Sequence, residues 1–123
     1  MKARPAILTL LLTAPLMAVD TWSTQDKALE GAFIASMAID YRQTSDIHHT
    51  VPGRLPYYEQ NVFMGRCPTQ ATINRYFLAS TALQVLAVDL LPSKYRTVAQ
   101  ALTLGIEVGA IGHNYTIGLK FSY

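Results

Sequence analysis

The sequence predicts an all-α chain: a small helical membrane bundle of three helices behind an N-terminal signal or anchor, with a short extended C-terminal tail. Three observations predict it. Half of the 123 residues are hydrophobic and only 15% are charged, against the quarter usual in soluble domains. Two apolar blocks of helix length flank one long polar stretch, Asp40 to Pro68, broken by Pro52, Gly53, Pro56 and Gly65. The chain also begins with Lys2 and Arg4 ahead of the apolar run Ala6 to Val19.

That opening has the basic start, Leu-rich centre and small-residue end of a secretory signal. It is short for a bilayer-spanning helix, which needs about 20 residues. Residues 1–19 are therefore read as a signal peptide or N-terminal anchor and residues 20–123 as one helical membrane domain. Either form sends the chain to the bacterial cell envelope, with the inner membrane preferred over the outer membrane or periplasm.

The first helix is expected over 25–46. Ser23 or Thr24 can cap it and Asp26 falls in its first turn. Gly31, Ala32, Ala35, Ser36 and Ala38 make it rich in small residues, which suits close helix contact in lipid. The second helix is expected over 69–91, with Thr69 as N-cap, a body from Ile73 to Leu91 that is the best spanning candidate, and Pro92 as its stop. The short basic turn Pro92-Ser-Lys94-Tyr-Arg96 makes the third helix, 95–112, its antiparallel neighbour.

The third segment also alternates apolar and polar residues, so a β-hairpin over 98–123 competes with the helix. Nothing upstream alternates, and one hairpin closes no barrel. Helix to Gly112 and an extended tail beyond is the preferred reading.

Sites are scarce. His48 and His49 are adjacent, whereas helical metal ligands sit three or four apart, so they are read as loop histidines before metal ligands. Glu30, Asp40, Asp89 and Glu107 lie within or beside apolar segments, where an unpaired charge is costly. Interhelical pairing with Arg42, Arg75, His113 or a tyrosine hydroxyl is preferred over a proton or cation path. Glu30, Asp40, Glu59 and His113 are the candidates for catalysis, with His49 in the same hypothetical pocket. If the chain has a recognition site, it is expected mostly between Asp40 and Pro68. In that stretch Asn61 can bond its own backbone and Gly65 permits positive φ. Cys67 stands alone, which rules out an intrachain disulfide. Ala101, Gly105 and Gly109 form a small-residue stripe for helix packing.

No phosphate-binding Gly-rich loop, nucleophile elbow or His-Glu-x-x-His is present. No cofactor is implied, an enzyme is disfavoured, and a net charge of +2 gives no nucleic-acid footprint. The expected partners are the lipid membrane, a second copy of the chain or a larger membrane protein.

Asp40-Tyr-Arg-Gln43-Thr44, Glu59-Gln-Asn61, Gly65-x-x-Pro68, Tyr76-Phe77, Pro92 and His113-Asn114-Tyr115 together resemble small bacterial and phage-borne envelope proteins of unknown function. Val62 follows Asn61 where that pattern has proline. The resemblance implies location and general build, and it brings no catalytic residue. Three functions stay open: an interaction or structural subunit of the envelope membrane, a phage-type holin or superinfection-exclusion protein, and a small metal-dependent membrane enzyme.

Overall fold

The computed structural model describes residues 20–48, 61–65 and 67–118, with 47 and 48 by backbone alone. Residues 1–19 lie outside this range. So do His49, Glu59 with most of the central stretch, Arg66, and 119–123. Within it the chain is all-helical: α1 (Thr24–His48), α2 (Gln70–Asp89) and α3 (Ser93–Thr116). No described residue is in a strand.

Each helix begins where an acceptor is provided for one of its unbonded N–H groups, locally at α1 and α2 and from a distance at α3. At α1, Ser23 Oγ accepts from the Asp26 N–H at 3.0 Å and Asp26 Oδ2 accepts from the Ser23 N–H at 2.9 Å, a reciprocal cap. At α2, Thr69 Oγ1 accepts from the Thr72 N–H at 3.2 Å. α3 follows Pro92, which has no capping side chain. Its first donor, the Ser93 N–H, is instead taken by Asp20 Oδ2 at 2.8 Å, so the segment before α1 caps a helix far away in sequence.

α3 runs on to Thr116, and Ile117 then Gly118, at φ 100°, close it. His113 to Thr116 are thus helical, not the start of an extended tail. The alternation that favoured a hairpin is overridden because every described residue from Ser93 to Thr116 joins one helical ladder. The last five residues of the expected tail lie outside the described range.

Hydrogen-bonded partners on α1 and α3 differ by 68 to 74 in sequence number all along the pair, so these helices run parallel. α2 runs against both: Ser45 meets Gln70 and Tyr41 meets Asn74 at one end, while Trp22 meets Asp89 at the other. α1 packs most extensively on α3, and α2 and α3 touch least.

The apolar core is small and lies to one side. Phe33 and Met37 of α1, Ile73 and Phe77 of α2 and Met64 of the preceding turn are buried together, with Tyr41, Tyr76 and Leu104 against them. Phe77 takes Tyr41 and Tyr76 edge-on, at centroid distances of 5.6 and 5.4 Å. The turn that seats Met64 is built by Asn61. Its carbonyl accepts from the N–H groups of Met64 and Gly65, and its Oδ1 accepts from the Phe63 N–H, while Gly65 takes φ 79°.

Elsewhere the usual distribution is reversed. Asp26, Glu30, Gln43, Thr44, Arg96 and Gln100 are buried, whereas Leu78, Leu83, Leu86, Leu90, Leu102 and Ile106 are 59–76% exposed. The small residues Gly31, Ala32, Ala35 and Ala38 of α1 also face outward. No helix among the described residues is long and apolar enough to cross a membrane, and α2, the best spanning candidate, carries Asn74, Arg75, Gln84 and Asp89 among its apolar residues.

Candidate functional site

The polar interior is a ladder between α1 and α3. At its upper end Arg96 is completely buried. Its Nε donates to the Val88 carbonyl at 2.9 Å, and its Nη2 donates to the carbonyls of Asp20 and Leu91 at 3.0 Å. Its Nη1 pairs with Asp26 Oδ2 at 3.4 Å, and its guanidinium lies 5.4 Å from the Trp22 ring centroid. Arginine suits this position because its planar fork serves several acceptors at once. One side chain thereby ties together the lead-in to α1, the first turn of α1, the end of α2 and the start of α3.

One turn lower, Gln100 Nε2 donates to the Asp26 carbonyl and to Glu30 Oε2, both at 3.0 Å. At the lower end Asn114 Nδ2 donates to Asp40 Oδ1 at 2.9 Å and to Gln43 Oε1 at 3.2 Å. The carboxylates of Glu30 and Asp40 thus each accept a hydrogen bond from a carboxamide of α3, and Asp89 Oδ1 accepts from the Trp22 indole at 2.8 Å. Arg96, which the sequence places in a short basic turn, is the most deeply buried charged group described. The bonds that Asp26 and Asp20 accept hold both carboxyls below the ordinary carboxylate range. For Asp26 the Ser23 backbone N–H is the main cause, and for Asp20 the Ser93 backbone N–H.

Between the two ends of the ladder the structure opens. A cleft of about 360 Å³ lies where α2 and α3 diverge over α1. α1 supplies Phe33 and Met37 to it, α2 supplies Ser80, Leu83, Gln84 and Ala87, and α3 supplies Thr103, Ile106 and Glu107. Gln84 Nε2 donates to Thr103 Oγ1 at 2.8 Å and bridges the two walls. Glu107 is half-buried, and its Oε2 is shut from solvent with no hydrogen-bond partner. Burial, reinforced by the nearby charge of Asp40, pushes its carboxyl up to about 7. A carboxyl raised to this range is expected of a group at a functional site.

The expected site residues are not gathered here. Glu30 and Asp40 sit ten residues apart on α1, about 15 Å along the axis at 1.5 Å per residue, so one pocket cannot hold both. His113 is exposed on the outer surface of α3, and His49 and Glu59 lie outside the described residues. Only the backbone of His48 is described, as the last residue of α1. Among the described residues no group of three His, Cys, Asp or Glu is placed to hold a metal ion. The Ala101–Gly105–Gly109 stripe faces away from the bundle, and a Cβ added at Gly105 or Gly109 would meet nothing within 4 Å.

Nor does the cleft belong to the Asp40–Pro68 stretch. Asp40 to His48 forms the last turns of α1, and the Asn61–Gly65 turn is built into the core. Glu107 was legible only as a carboxylate in an apolar segment. Arg96, Gln100, Thr103, Glu107 and Asn114 recur at helical spacing, and that polar stripe was the available signal for the ladder. No family model matches this chain, and neither a curated protein nor a solved structure does.

Proposed function

We propose that this chain is a small envelope-membrane protein acting as an interaction or structural subunit, with the outer face of α2 and α3 turned toward lipid. The observation that carries this reading is the reversed distribution: leucines outside, hydrogen-bonded polar side chains inside. In water a contiguous apolar patch of this kind marks an interaction surface. In an apolar surrounding the same arrangement is the economical one, because polar groups find partners only within the bundle. The signal-like segment 1–19 and the resemblance to small envelope proteins agree with it.

The test is fractionation of tagged full-length protein with a carbonate wash, joined to N-terminal sequencing. Wild type is expected in the membrane pellet after the wash. A variant with Leu83, Leu86 and Ile106 changed to Asn is expected to leave it when the leader has been removed. Recovery of leader-free wild type in the wash would refute the reading.

A second reading, self-association of the phage-holin or exclusion type, is favoured by one observation. Ala101, Gly105 and Gly109 are exposed, and among the described residues nothing lies within 4 Å of a Cβ added at either glycine, so the stripe presents a surface for a second copy. Cross-linking in membranes separates the two: Gly105→Leu abolishes the cross-linked species under this reading and leaves them unchanged under the first.

A further inference from the structure

We propose that the cleft between α2 and α3 binds one short alkyl chain carrying a cationic, hydrogen-donating head, with Glu107 as its receptor group. This goes beyond the membrane reading and does not depend on it. Four features of the cleft carry the inference together.

The first is size and lining. The volume of about 360 Å³ is more than twice the roughly 150 Å³ of a dry apolar cavity that accepts benzene, and it falls in the range of small-molecule sites. Phe33 and Met37, each 4% exposed, give it a fixed apolar floor, since both also belong to the core. The second is the orphan acceptor. Glu107 Oε2 is buried without a donor among the described residues, as are Glu30 Oε1, Gln70 Oε1 and Gln100 Oε1, but of these four residues Glu107 alone lines the cleft, where it is the only charged group.

The third is charge. None of the lining residues is a Lys, Arg or His. From α1 the charged group bearing on Glu107 is Asp40, while α2 offers only the neutral Ser80 and Gln84. The cleft is therefore acidic when Glu107 ionises, and among the described residues its lining holds no counter-ion. The fourth is the rest of the ladder. Arg96, Gln100 and Asn114 serve Asp26, Glu30 and Asp40, so each of these acidic rungs has at least one donor within the bundle, Glu30 keeping one unserved oxygen. An ammonium head would supply to Glu107 what those side chains supply to its neighbours. An anionic head would face two carboxylates, and a neutral alcohol would gain only one uncharged hydrogen bond.

The probes are octylammonium, octanol and octanoate, which share one chain and differ in head. They are titrated into the full chain in nonionic micelles, with the side-chain carboxyl carbons observed by NMR. The chain has only three glutamates, Glu30, Glu59 and Glu107, and Glu107→Gln assigns the signal. Octylammonium stays charged throughout, because an alkyl amine titrates near 10.4 as lysine does.

In the unliganded protein Glu107 titrates near 7, and saturation with octylammonium moves its midpoint downward. If only the ionised carboxylate binds, octylammonium affinity rises up to about thirtyfold between about pH 5.5 and about pH 8. Octanol binding stays flat, and octanoate binding weakens over the same range. Glu107→Gln removes the preference among the three heads. Ala87→Phe fills the cleft and blocks all three, while Glu107 still titrates, so the result does not hang on one variant's folding. The proposal is overturned if octylammonium binds no tighter than octanol at the alkaline end, if its advantage survives Glu107→Gln, or if Ala87→Phe leaves binding intact.

Discussion

Replacing Arg96 with methionine keeps a long flexible chain at the position and removes every hydrogen bond it makes. Four acceptors lose one donor each: the carbonyls of Val88, Leu91 and Asp20, and Asp26 Oδ2. The Val88 carbonyl retains the Leu91 N–H at 3.2 Å and Asp26 Oδ2 the Ser23 N–H at 2.9 Å, so neither is left bare. A hydrogen bond to a charged group contributes about 1.5–3 kcal/mol, and bonds sharing one side chain are not additive. Counting the carbonyls alone, the loss is at least about 3 kcal/mol. At 4–8 °C per kcal/mol for a domain of this size, Tm falls by roughly 12–24 °C. Far-UV circular dichroism during thermal melting in one fixed solvent or micelle measures it. Arg96→Lys is expected to recover only part, because a single ammonium cannot reach acceptors on α1, α2 and the lead-in segment together. Adding Asp26→Asn to Arg96→Met is expected to raise Tm again, since it removes a buried carboxylate that has lost its cation. If Arg96→Met melts within a few degrees of wild type, the view of Arg96 as the tie between all three helices is wrong.

The pH dependence should have two limbs of opposite sign. Asp20 and Asp26 have lowered folded values, so their contribution is present above the unfolded value of 3.8 and disappears as pH falls through the folded values; acid melts of Asp26→Asn should lose part of that limb. Glu107 is raised from 4.5 to about 7, so its linkage is fully favourable below 4.5 and fades as pH climbs to 7. Half-burial screens this term to roughly 1–2 kcal/mol, so Glu107→Gln should raise stability by about that much at pH 8 and by nothing near pH 4; equal effects at both would refute the assignment. Gly105→Ala and Gly109→Ala should each stabilise the single chain by about 0.5–1 kcal/mol, because the added methyl meets no atom within 4 Å, and a loss of stability on melting would mean the stripe is covered. Leu86→Ser with Leu90→Ser should leave Tm almost unchanged, because both leucines are exposed, while reducing recovery on liposomes in flotation.

Helix positions were legible because their signals are local. Thr69 as N-cap, Pro92 as stop and Ser23 with Asp26 at the first helix start can each be read from a few adjacent residues. The end of α3 was not, since the residues after Gly112 alternate in polarity and no glycine or proline interrupts them until Gly118. Arg96 was missed for a related reason. A cation three residues from a serine and four from a proline reads as a turn, and only the partners it finds 70 residues away, around Asp26, turn it into an interior group. The cleft is less legible still. Phe33, Leu83 and Glu107 come from three separate segments, and the sequence shows neither that α2 and α3 diverge there nor that α1 closes the floor.

The placement of polar groups also bears on which surroundings this bundle is built for. In water, the stabilising apolar burial would have to come mainly from Phe33, Met37, Met64, Ile73, Phe77 and Val88, while the leucines of α2 add little where they stand. Burying Asp26, Glu30, Gln43, Arg96 and Gln100 would be a net cost offset only by good mutual geometry. In an apolar surrounding the balance changes sign: the leucines need no cover, and each polar rung would be expensive unless paired with another. The ladder then becomes the reason that α1 and α3 dock in parallel and in one register, because a shift by one turn would separate Arg96 from Asp26 and Asn114 from Asp40 together. On that argument Glu107 stands out. It lies on the same stripe as Arg96, Gln100 and Asn114, and although Glu30 Oε1 and Gln100 Oε1 also lack donors among the described residues, Glu107 alone of the three lines the cleft.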